Sequence, residues 1–128
     1  MSDEEPLTIY AVRITENAAS NISQEKRRLA GIVDDAIIEQ WEDGLIAAFS
    51  ALSTMPRRYP VAPEQKYFPG SPPLHVLVYR RSSRRNAPAY RIFFTIHEEG
   101  DEAPTVRIQH VRHGARAPLG PDEFELES

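Results

Sequence analysis

Cysteine is absent from the 128 residues, which excludes disulfides, thiolate nucleophiles and sulfur-based metal sites and fits a reducing, cytoplasmic setting. Lysine is nearly absent: Lys26 and Lys66 are the only two, and the other thirteen basic residues are arginine. That bias suits planar, two-pronged contact with phosphate or carboxylate. No apolar run approaches the ~20 residues of a membrane span, so no membrane partner is expected. Glycine is scarce, at six residues, and none forms a phosphate-cradling loop. A serine nucleophile elbow and a paired-carboxylate helix are missing too, which removes the common enzyme classes; no cofactor is expected. Met1 to Pro6 is acidic and has no apolar stretch, so no signal peptide is expected.

What remains is one domain's worth of chain with unevenly placed charge. The net charge is -4, from 19 acids and 15 bases. Seven of those acids lie at the two ends: Asp3, Glu4 and Glu5, then Asp122, Glu123, Glu125 and Glu127. The body between Pro6 and Pro121 is therefore basic, at +3. The expected organisation is an acidic tail over 1–6, a folded domain over 7–120 and a second acidic tail over 121–128. A basic body raises the expectation of an anionic partner.

The hydrophobic pattern predicts a strand from Leu7 to Thr15, with Thr15 as the cap of a first helix that carries Ile22, Leu29 and Val33. A second helix is expected from Asp34 and Asp35, with Ile38, Trp41, Leu45, Phe49 and Leu52 as its apolar stripe and Met55-Pro56 as its stop. Five prolines and one glycine between Arg57 and Pro73 predict an irregular crossing loop. Leu74 to Arg81, Tyr90 to His97 and Thr105 to Arg112 read as three strands of a meander. The fold class is α+β: a single, mostly antiparallel four-stranded sheet with a helical hairpin on one face, in the order β-α-α-β-β-β.

Alternation along the strands sorts side chains into faces. Tyr90, Ile92, Phe94 and Ile96 should meet the helices, and Arg91, Phe93, Thr95 and His97 should look away. If the turns centre near Arg85 and Asp101, Tyr79, Arg91 and His113 form one row on the exposed face, rimmed by Arg81, Arg112 and Arg116. Such a row can hold a phosphodiester, with Arg91 stabilising charge and His113 or Tyr79 moving a proton; it is equally explained by surface packing of Arg on Tyr. The cluster Arg80, Arg81, Arg84 and Arg85 is either a binding tip or a solvated turn. His110 and His113, three apart on a strand, point to opposite faces, so no metal site is expected.

Several stretches together resemble the RelE/ParE toxin superfamily, over about Ile9 to Arg116. They are Gln40-Trp41-Glu42-Asp43-Gly44-Leu45 running to Met55-Pro56-Arg57-Arg58, then Pro60-Val61-Ala62-Pro63-Glu64, Tyr90-Arg91-Ile92, and Val111-Arg112-His113-Gly114-Ala115-Arg116. The resemblance implies a small toxin of a bacterial type II toxin–antitoxin, or plasmid-stabilisation, system. It implies a cognate antitoxin as partner, with higher-order toxin–antitoxin assembly as a further expectation. In RelE-like members basic residues with a Tyr or His cleave messenger RNA on the ribosome; ParE-like members poison DNA gyrase. Arg91 and His113 match positions used by the ribonucleases, with Tyr79 the other proton-moving candidate, and Arg80, Arg81, Arg84, Arg85, Arg112 and Arg116 are the candidates for target or antitoxin contact. The candidate site has no lysine and no C-terminal helix ending in Tyr, and the hairpin with its Met-Pro-Arg-Arg exit is similar to the ParE side. Growth arrest by gyrase binding is therefore the first expectation, with messenger RNA cleavage as the alternative.

Overall fold

Thr15 joins the first helix to the sheet. The structure, a computed structural model, describes residues 7–80, 88–100, 103–114 and 126. In it, strand β1 spans Ala11–Ile14 and helix α1 spans Glu16–Ala30. The Thr15 hydroxyl accepts from the Ala18 N–H at 3.2 Å and donates to the Ile108 carbonyl at 2.8 Å. It thus satisfies one of the donors that a helix start leaves open and fixes that start to a strand. Helix α2 spans Asp35–Ala51, with Asp34 as its cap residue and Asp35 in its first turn, where negative charge complements the helix dipole. Its stripe of Trp41, Leu45, Phe49 and Leu52 is buried, each side chain contributing roughly 2 kcal/mol of apolar burial.

The second helix stops four residues before Pro56. Its exit is drawn into pairing with the chain ahead of β1, where Tyr10 N–H donates to Ser53 O at 2.8 Å and Thr54 bridges Ile9. Met55 then takes a left-handed conformation, φ 48°. The crossing segment is also more regular than its prolines suggest: Pro56–Arg58 and Pro63–Tyr67 are short 3-10 helices, each opened by a proline that needs no donor there.

Strands β2 (Leu74–Arg80), β3 (Ala89–His97) and β4 (Thr105–His113) follow, in the sheet order β1-β4-β3-β2. The β4–β3 and β3–β2 pairs are antiparallel, while β1 runs parallel to β4, so this α+β sheet is mixed. Both faces are covered, though unequally. One packs Tyr90, Ile92, Phe94, Val106, Ile108 and Val111 against the helices. On the far face Leu74, Val76 and Phe93 pack with Ala62, Phe68 and Leu126. No helix among the described residues is long and apolar enough to cross a membrane.

A bulge in β4 sets the geometry of the sheet's end. Phe93 opposes His110 and Phe94 opposes Ile108, which leaves Gln109 as an extra residue. Its buried amide donates to Thr95 Oγ1 at 2.9 Å. Beyond the bulge the alternation is inverted, and Val111 turns into the helix-side core.

Candidate functional site

The sheet register separates residues that the sequence placed together. Tyr79 opposes Tyr90, and Tyr90 opposes His113, so these three form one rung on the helix face. Arg91 opposes Val78 and Arg112, on the far face. The expected row of Tyr79, Arg91 and His113 is thus corrected. The pairing of β2 with β3 is slipped by one residue from the assumed register, and the Gln109 bulge inverts the end of β4. With a side-chain period of two, each such slip moves a residue to the opposite face.

On the helix face, the rung meets α1 in a cleft of about 410 Å³ lined by Asn21, Gln24, Glu25, Arg28, Tyr90 and His113, among others. Arg28 grips Glu25 with both prongs, Nε to Oε1 at 2.6 Å and Nη2 to Oε2 at 2.9 Å. The Tyr90 hydroxyl donates to the same carboxylate, and its ring packs edge-on to His113, centroids 5.1 Å apart. Burial and the Glu25 carboxylate both push the Tyr90 phenol up, so it remains a neutral donor. Burial opposes ionisation of Glu25, but Arg28 and Tyr90 outweigh it and hold the carboxyl below its ordinary value. The cleft therefore contains a fixed carboxylate, a phenol and an imidazole, with its nearest guanidinium committed to the carboxylate. Tyr79 closes the other end of the rung, donating to the Trp41 carbonyl at 3.1 Å.

On the far face, Arg91 is bound at both prongs by Glu64, at 2.7 and 3.0 Å, and lies 4.8 Å over the Phe93 ring. The carboxylate is almost fully buried, its side chain 3% exposed. Arg112, expected on the rim, is buried instead, opposite Arg91 on the far face. Arg80 is exposed at the end of β2. Arg81, Arg84, Arg85 and Arg116 lie outside the described residues. Further along, Arg107 stands between Thr95 and Arg13, and its Nη1 is buried without a hydrogen-bond partner. His97 Nε2 meets Thr95 Oγ1 at 2.7 Å, and burial, aided by Arg107, pushes the imidazole down. His110 faces Phe93 on this side and His113 faces Tyr90 on the other, and no metal-holding cluster of His and carboxylates occurs among the described residues.

A family model described as ParE toxin of type II toxin-antitoxin system, parDE, matches residues 12–118. The chain belongs to that family. Membership makes it the toxin component of a type II toxin–antitoxin system and implies a cognate antitoxin. No curated protein and no solved structure matches the chain.

Sequence reasoning missed two parts of this ParE-family toxin's site. Glu25 and Arg28 lie on the polar surface of α1, and only the i, i+3 spacing of opposite charges hinted at their pairing. In the sequence Gly44 stands out only as part of the Gln40-to-Leu45 stretch. In the toxin it is the place where α2 has no side chain, and an added Cβ would stand 2.1 Å from the Tyr79 hydroxyl oxygen.

Proposed function

We propose that this ParE-family toxin arrests growth by binding its target, DNA gyrase, rather than by cutting RNA, and that its cognate antitoxin neutralises it. The observation that supports this reading is the division of the candidate chemistry between two faces. Cleavage of a phosphodiester needs a cation and a proton-moving group at one phosphorus. Arg91 is held by Glu64 on the far face, whereas Tyr79 and His113 lie on the helix face. A sheet that separates them is better suited to presenting a surface than to catalysis. Gyrase is a cytoplasmic target, in keeping with the cysteine-free composition.

A second reading keeps messenger RNA cleavage and moves it to the cleft, where Glu25, Tyr90 and His113 share one opening. His113→Ala separates the two readings. Binding predicts unchanged growth arrest on expression and no codon-phased cuts in primer extension of translated messages. Cuts with the unaltered toxin that vanish in His113→Ala would establish the second reading.

A further inference from the structure

On the far face, an apolar rung lies between two arginine rungs. Across β2, β3 and β4 the rungs run Val78, Arg91, Arg112, then Val76, Phe93, His110, then Leu74, Thr95, Arg107, with Arg13 of β1 continuing the last. Same-face rungs are about 7 Å apart, because a strand rises ~3.3 Å per residue. Arg91 is taken by Glu64 and Arg112 is buried, so the guanidinium groups within reach of a group seated on Val76 and Phe93 are those of Arg107 and Arg13, on the Leu74 side.

Leu126 is seated there. It packs against the cluster of Ala62, Leu74, Val76 and Phe93, more than forty residues distant in sequence from all but Phe93. Glu125 and Glu127 are its neighbours in the sequence. Residues 121–128 contain four acids and no base. An apolar anchor with carboxylates beside it in the sequence matches an apolar rung with Arg107 and Arg13 beside it.

We propose that the far face is a binding site for an acidic peptide with a leucine anchor, and that its resident occupant is this chain's own segment 121–128. Leu126 supplies the apolar contact that fixes position, and the carboxylates supply a salt-sensitive attraction to Arg107 and Arg13. A partner that reads this arginine surface must displace the segment first, so its apparent affinity falls by the fraction of chains in which the face is open. The inference does not depend on which target the toxin meets.

The test uses the full chain and, as probe, a fluorescein-labelled peptide of residues 119–128, read by fluorescence anisotropy. Leu126→Ala should bind the probe about tenfold more tightly than the unaltered chain, since its own segment has lost its anchor. Leu126→Met should bind as weakly as the unaltered chain. Probe binding to Leu126→Ala should weaken at about 1 M salt, where the screening length is ~3 Å, and fail when the probe itself carries Leu126→Ala. Equal binding by the unaltered chain and Leu126→Ala, or no binding by either, overturns the proposal. So does a dimer of the unaltered chain that Leu126→Ala abolishes, because the segment would then occupy a second copy. A thermal melt of Leu126→Ala that matches the unaltered chain's keeps these outcomes from being read as misfolding.

Discussion

A guanidinium gripped at both prongs by a buried carboxylate has little left to offer a phosphate. Arg91 is in that state, and its main role here is to close the far face beside Phe93. Removing one partner of a buried ion pair costs about 3–5 kcal/mol, so Arg91→Ala should lower stability by roughly that amount in urea denaturation, and Arg91→Lys, which keeps the charge but loses the fork, by less. Loss of toxicity in Arg91→Ala is then a folding effect, and a stable but non-toxic Arg91→Lys would contradict this assignment. His97 carries a pH dependence. Its folded pKa lies below the ordinary 6.5, through burial and then Arg107, so the unfolded chain binds more protons between that lowered value and 6.5. Stability present above pH 6.5 is therefore lost as pH falls through this window, and His97→Gln should flatten the slope there in melts at successive pH values. An unchanged slope would remove His97 from the account.

At the scale of elements, the contact between α2 and β2 rests on a missing side chain. Tyr79 reaches across to the Trp41 carbonyl over the gap at Gly44. Ala is the better helix former, yet Gly44→Ala should destabilise by about 1–2 kcal/mol, because the crowding of an aromatic ring outweighs the ~1 kcal/mol of helix propensity. A variant as stable as the unaltered chain would mean that Tyr79 moves aside at no cost. The elements themselves were legible in the sequence. Thr15 as a cap, the Trp41–Leu45–Phe49–Leu52 stripe and the three late strands follow from local spacing that the structure obeys. The site was not legible, because it depends on register. The Gln109 bulge and the true turn between β2 and β3 leave no local signal, and each reverses which side chains share a face. Likewise, the exit of α2 responds to its pairing with Ile9, a contact far away in sequence, before proline can act.

For the whole molecule, the net charge of -4 conceals a +3 body with two acidic ends. The body presents different chemistry on its two sides: a cleft of carboxylate, phenol and imidazole under α1, and an arginine-bearing sheet face that the chain's own Leu126 partly covers. Arg91 stands on one face and the proton-moving candidates Tyr79 and His113 on the other, which is why surface recognition, rather than bond cleavage, is the function proposed for this toxin. The most direct measurement is DNA supercoiling by purified gyrase titrated with the purified toxin, with and without His113→Ala. The account predicts that both proteins abolish supercoiling at about equal concentrations. Full supercoiling at doses that arrest growth in cells would contradict it.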